Sequence, residues 1–305
     1  MVLLQQMGIL FIYMIIGYVA CKKEYFDQEF GKKLSWLVVN IANPMLAVSA
    51  VVNNETTIDR KDFFVTVILA VAFYAFLLFL AYILPRMIRV PQSDLGVYKM
   101  MTTFNNIGFI GFPIIAAAYG NGALIYAVPF SIMFNILCYT WGIQTLCNRG
   151  GKGQWKQVIN VGTISGVIAI FLFFVQIPVP QMICSITAGL SNLTGPLSMI
   201  VIGISLADIA LKELFTDRRL LKFAFVKLIV VPLVVMFLIC RVIDNRLICE
   251  VFLIMMATPA ASMCAMLAQQ YGGDYELAAR GVALTTILSV ITIPLVSEIV
   301  FHLAV

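Results

Sequence analysis

Charge is what this chain has least of. Asp, Glu, Lys and Arg make up 11% of its 305 residues, against 62% that are hydrophobic. The mean hydropathy of +1.00 lies far outside the range of soluble domains. Histidine occurs once, at His302, so an intramembrane serine protease would have no base within its apolar segments. No credible pair of membrane aspartates is present either, which excludes an intramembrane aspartyl protease, and the chain is read as no enzyme. Cys21, Cys138, Cys147, Cys184, Cys240, Cys249 and Cys264 stand singly, with no CxxC spacing. They are read as small apolar packing residues, and neither a metal nor a cofactor is expected. No basic run exceeds two residues, so the net charge of +5 is assigned to loops facing cytosol and anionic lipid, not to nucleic acid. No loop exceeds about a dozen residues, which leaves no room for a soluble partner domain.

What is present is a series of about ten apolar segments: 2–21, 34–52, 63–85, 97–118, 122–146, 158–177, 181–208, 221–240, 247–269 and 281–303. Each is near the roughly 20 residues needed to cross a ~30 Å hydrocarbon core. Continuous apolar runs without two-residue alternation favour helices over a barrel, so the expected fold is an all-α integral membrane protein with ten transmembrane helices. The opening MVLLQQMG has no basic n-region, and no small-residue cleavage site precedes Lys22, so the first segment is expected to be a retained helix.

Basic residues give the orientation. Fifteen of the 20 Lys and Arg, among them Lys22, Lys23, Arg86, Arg149, Lys152, Lys212 and Arg280, fall on one side of a ten-span layout. Only Arg60, Lys61, Arg241 and Arg246 fall on the other, which places both termini outside, in the periplasm if the protein is bacterial. A second regularity appears on halving the chain. Asn43-Pro44 precedes Gly195-Pro196 by 152 residues, and Tyr119-Gly120 precedes Tyr271-Gly272 by the same 152. Two five-helix halves, 1–152 and 153–305, would enter the membrane upside down relative to each other, as inverted repeats of secondary transporters do.

The fourth and ninth segments are written so that they break. From Gly96 to Phe104 is nine residues, roughly 13 Å of helix, which puts the next residues near the midplane. There Gly108 and Gly111 permit unusual backbone angles, and Pro113 suits the first turn of a new helix. Thr102, Thr103, Asn105 and Asn106 can satisfy the freed backbone or hold a ligand. The ninth segment, LICEVFLIMMATPAASMCAMLAQQYG, repeats the design with Thr258-Pro259 and Ser262. Helix N-termini near Pro113 and Pro259 would then aim exposed amides at a cavity, a natural place for a carboxylate. A proline kink patched by neighbouring polar groups is the plainer alternative for either segment taken alone.

Other polar positions have two readings each. Asn40 and Asn43 in the second segment, and Asn192 in the seventh, either line the cavity or tie helices together. Lys227, some six residues into the eighth segment, either reaches out to the cytoplasmic surface or supplies a counter-charge or ion-coupling group. Asp208, Glu250 and Glu298 are assigned to the interfaces. No carboxylate cluster marks a cation site, so the charges leave proton and sodium as alternatives for a coupling ion.

NNIGFIGFPIIAAAYG in the fourth segment, ATPAASMCAMLAQQYGGD in the ninth and NPMLAVSA in the second together resemble the auxin efflux carrier family, which includes plant exporters and bacterial organic-acid carriers. The likeness covers essentially the whole chain. It implies an architecture shared with bile-acid sodium symporters. Helices 1, 2, 6 and 7 would form a scaffold that carries a homodimer contact, and helices 3–5 and 8–10 a transport domain in which broken helices 4 and 9 cross. In plant members an asparagine beside each break contacts the anion. Asn105 or Asn106 fills that role here in helix 4, whereas helix 9 offers Thr258, Ala260 and Ser262, a departure that argues against auxin itself. The plant members also have a long central loop, and the short one here, at 147–157, suits a compact bacterial member.

The function expected is secondary transport of a small organic anion, malate- or malonate-like or an auxin-like acid, by alternating access. The expected substrate-binding residues are Asn105, Asn106, Gly108, Gly111, Pro113, Thr258, Pro259, Ser262 and Asn43, and the other partner is membrane lipid. The alternatives are a passive channel, for which the polar positions are sparse, or a membrane sensor that binds an organic anion without moving it.

Overall fold

Proline shapes the local geometry of this chain. Lacking an amide proton, it removes one helical hydrogen bond, and its ring crowds the carbonyl four residues back, which a widened turn relieves at three positions, whereas Pro85 and Pro294 lie inside uninterrupted α-helices. Pro44, Pro113 and Pro232 each stand two residues after the end of a π turn, Val38–Ala42, Ile107–Gly111 and Val226–Val230 respectively. In two of these the residue before the proline donates its amide five residues back, Asn43 to Val38 and Val231 to Val226.

The computed structural model describes residues 2–53, 60–146, 155–207, 209 and 214–303. Cys147, Arg149, Lys152, Asp208 and Lys212 lie outside the described residues, as does the midpoint at 152/153. Among the described residues the chain is helical and contains no strand, only one isolated bridge between Asn105 and Ala260. Among the described residues, seven helices are long and apolar enough to cross a membrane: Gln5–Lys22, Gln28–Val52, Arg60–Met87, Asn121–Leu146, Gln181–Ala207, Arg218–Ile239 and Tyr275–Phe301. Ile107–Tyr119 and Val161–Val175 are apolar but shorter.

The chain divides into two compact units. The first comprises Met1–Val67, Ile107–Ile132 and Ile159–Asp208. Its helices Val2–Lys22 and Thr194–Ala207 lie so close that a Cβ on Gly17 would stand 2.2 Å from the Ile200 carbonyl oxygen, and one on Gly203 2.0 Å from that of Met14. In lipid, where apolar side chains gain little by leaving the solvent, such small-residue contacts let backbones pack and supply the attraction. Small polar groups link Asn43–Val52 to Gln181–Ser191. Asn53 Nδ2 donates to Ser49 Oγ at 2.9 Å and Thr187 Oγ1 at 3.1 Å, and the Cys184 thiol donates to the Val52 carbonyl at 3.4 Å.

The second unit comprises Ile68–Asn106, Met133–Val158 and Ile209–Val305. Its helix Leu95–Thr103 is buried on several sides. A Cβ on Gly96 would meet the Thr145 carbonyl oxygen at 2.8 Å, and one on Gly281 the Met101 sulfur at 2.2 Å. Tyr98 packs edge-on to Phe223 with ring centroids 5.4 Å apart. Two helices stop inside this unit: Leu95–Thr103 runs into extended backbone at Phe104, and Arg246–Ala257 into extended backbone at Thr258.

Gly108 and Gly111 do not take the unusual angles expected of them. Both lie within the π turn, and Gly111 has ordinary helical angles, φ −61° and ψ −54°. Helical structure therefore resumes at Ile107, six residues before Pro113. What Gly108 supplies is space, since a Cβ there would lie 3.4 Å from Asn43 Nδ2. Among the described glycines, left-handed φ values occur at Gly120 and Gly272, both 83°. Each ends a helix after a tyrosine, and its amide caps the carbonyl four residues back, on Ala116 and Ala268.

Candidate functional site

The site is built where the two helices of the second unit stop. Every backbone group freed at this depth needs a partner. Asn106 N donates to the Pro259 carbonyl at 2.7 Å and Ala261 N to that of Phe104 at 2.9 Å, so two short extended pieces pair antiparallel around Asn105 and Ala260. Pro259 has no amide to satisfy. The amide of Ala260 donates to Thr285 Oγ1 at 3.2 Å, and that hydroxyl donates in turn to the Gly281 carbonyl at 2.8 Å. The pieces are thereby held without a sheet.

Asn105 is the hub. It is 1% exposed. Its Nδ2 donates to the carbonyls of Met255 at 2.8 Å and Met256 at 3.1 Å, at the end of helix Arg246–Ala257. Its Oδ1 accepts from Lys227 Nζ at 2.5 Å, and the same ammonium donates to the Thr102 carbonyl at 3.3 Å. The outward-reaching alternative for Lys227 is thereby overturned, because the side chain points inward and is only 4% exposed. Lys227 is one of the buried residues of the widened turn Val226–Val230 that precedes Pro232.

The electrostatics follow from this placement. Thr102, Met255 and Met256 lie at the C-terminal ends of their helices, each of which carries about half a negative charge. One ammonium sits among them, and among the described residues no carboxylate pairs with it. Beside it is a void of about 10 Å³, the size of one water, lined by Leu77, Leu80, Leu84, Thr102, Asn105, Lys227, Val231 and Met256.

Of the expected site residues, the second unit holds five: Asn105, Asn106, Thr258, Pro259 and Ser262. The Thr258 hydroxyl turns back onto the Met255 carbonyl at 3.0 Å, and Ser262 begins the helix Ser262–Tyr271. Gly108, Gly111, Pro113 and Asn43 belong to the first unit. There Asn43 Oδ1, Thr194 Oγ1 and Ser198 Oγ are buried and make no hydrogen bond among the described residues. Asn40 bonds within its own helix, to the Trp36 carbonyl at 2.9 Å, and Asn192 is exposed. Glu250 pairs with Arg246 at 2.9 Å at an exposed edge. Lys227 and Thr285 are the residues that sequence reasoning underweighted. The signal available for Lys227 was the proline five residues after it.

The model of a family described as membrane transport protein matches residues 2–158 and 151–297. An uncharacterized transporter of Methanocaldococcus jannaschii is 26% identical over 302 residues, covering 94% of this chain and 95% of that protein. Another from Methanothermobacter thermautotrophicus is 21% identical over 291 residues, covering 94% and 95%. A Rhizobium meliloti protein, provisionally named as a malonate transporter, is 25% identical over 285 residues, 86% of each chain.

Proposed function

The chain belongs to the membrane transport protein family, that of the auxin efflux carriers, and from this premise we propose that it is a secondary carrier for a small organic anion, with a malonate- or malate-like carboxylate favoured over auxin. The observation that carries the proposal is the buried pair Lys227–Asn105 at the junction of two interrupted helices. The ammonium offsets the partial negative charge of the two helix C-terminal ends without a carboxylate, so the junction presents no net negative charge to an approaching anion. Asn106, Thr258 and Ser262, with the first amides of helix Ser262–Tyr271, are the groups assigned to the carboxylate. The provisional name of the Rhizobium meliloti relative supports the same substrate class.

The remaining architecture is proposed with it. Residues 95–119 and 246–271 are each one interrupted span, crossing at Asn105 and Ala260, and the ten spans form two inverted repeats with both termini outside. Helices 3–5 and 8–10 are the transporting body and helices 1, 2, 6 and 7 the scaffold and the dimer panel, a division that differs from the two compact units in that residues 107–132 of helices 4 and 5 cluster with the first unit. A void of about 10 Å³ admits no dicarboxylate, so the site has to open to load, and alternating access supplies that opening. The test is uptake by Asn105→Ala and Asn106→Ala expressed at normal levels. Loss of transport in both is expected, and unchanged transport in both would remove this site from consideration.

A further inference from the structure

Lys227 is a costly residue to bury, and its surroundings suggest what it replaces. An ammonium taken out of water needs oxygen partners, and a carboxylate is the usual one. Here the partners are neutral, the Thr102 carbonyl and Asn105 Oδ1. Asn105 is in turn anchored by its amide to the carbonyls of Met255 and Met256. Helix-end carbonyls and an amide oxygen at an interruption are the donor set with which secondary carriers hold a coupling cation, and hard cations prefer such all-oxygen surroundings. In this molecule the position is filled from within. The ammonium has three N–H groups and two oxygen partners, which leaves one for the void it lines.

We propose that the Lys227 ammonium is a built-in cation standing where an exchangeable coupling ion would otherwise sit, so that this carrier binds and moves its anion without sodium. The inference rests on the carrier reading above but concerns a separate property, the identity of the cation at the helix junction. Two consequences follow. The wild-type protein gains nothing from sodium, because its cation is covalently attached. Removal of the side chain leaves the oxygens of Thr102 and Asn105 facing one another around a space that a small cation can enter.

The experiment has a stability arm that needs no substrate and a flux arm that does. In detergent without any anion substrate, the melting temperature of the wild-type protein is expected to be the same in sodium and in N-methylglucamine buffer. That of Lys227→Ala is expected to be lower, and to rise by roughly 2 °C or more on addition of sodium or methylammonium in excess. In proteoliposomes, wild-type malonate uptake is expected to be equal, within about twofold, in the two buffers, and Lys227→Ala uptake to fall at least about tenfold and to recover partly with methylammonium. A wild-type protein stabilised by sodium, or a Lys227→Ala protein indifferent to every small cation, overturns the proposal. If Lys227→Ala cannot be recovered from membranes, the wild-type sodium comparison decides alone. Absence of malonate flux together with the expected melting behaviour would count against the anion-carrier reading and leave the built-in cation standing.

Discussion

Each unit of the molecule sets an asparagine beside a disturbed apolar helix, and the two asparagines differ in what they touch. Asn105 in the second unit uses both ends of its amide, joining the carbonyls of Met255 and Met256 to the Lys227 ammonium. Asn43 in the first unit leaves its Oδ1 buried without a hydrogen bond among the described residues, as do the hydroxyls of Thr194 and Ser198 in the same unit. A satisfied buried network rigidifies its surroundings, whereas a buried polar atom without a partner is destabilising by about 1–3 kcal/mol and is a place where water or a ligand atom gains most. Residue type and nearness to a break therefore do not give a residue its role, and the partners do.

The largest effect expected is at the hub. Asn105→Ala leaves the ammonium and two helix-end carbonyls without their amide, and thermal unfolding should show a loss of about 3 kcal/mol or more. Asn43→Ala breaks no bond at its Oδ1 and should cost about 1 kcal/mol or less. Equal losses at both positions would erase the distinction between the units.

A smaller effect is expected where the first unit relies on close packing. Gly17→Ala must push apart helices whose backbone already lies 2.2 Å from the added carbon, a strain of about 1–3 kcal/mol. Gly8→Ala, on the same helix, meets nothing within 4 Å and should be neutral or slightly stabilising. Melting temperatures of the pair check this, and a neutral Gly17→Ala would contradict the close approach. The smallest effect belongs to Ser198→Ala. Deleting a buried hydroxyl that makes no bond among the described residues should leave stability unchanged or raise it by up to about 1 kcal/mol. A clear loss would reveal a partner for that hydroxyl.

Much of this arrangement was legible in the residues. The membrane class followed from hydropathy, and Asn105 and Asn106 stood out together because amides and a nearby proline are costly in an apolar span, with nothing to choose between the two. What was not legible was rotation about helix axes. Lys227 reads equally as reaching to the surface or turning inward, and its contacts with Asn105 and the Thr102 carbonyl decide between them. Asn192 is exposed while Thr194, two residues on, is buried, a difference of helical phase that apolar neighbours on all sides conceal. Gly108 and Gly111 suggest unusual backbone angles because glycine permits them, yet the π turn keeps them helical, and Gly108 leaves space beside Asn43. Thr285 left no mark at all, since its role as acceptor for the Ala260 amide depends on a contact 25 residues away in sequence.

The most direct test of the central claim is counterflow of labelled malonate into proteoliposomes preloaded with unlabelled dicarboxylate. Saturable accumulation by the wild-type protein, abolished in Asn105→Ala, is the predicted result. Flux that rises without saturation would point to a channel, and ligand-induced stabilisation without any flux to a sensor; either would contradict a carrier built around Asn105 and Lys227.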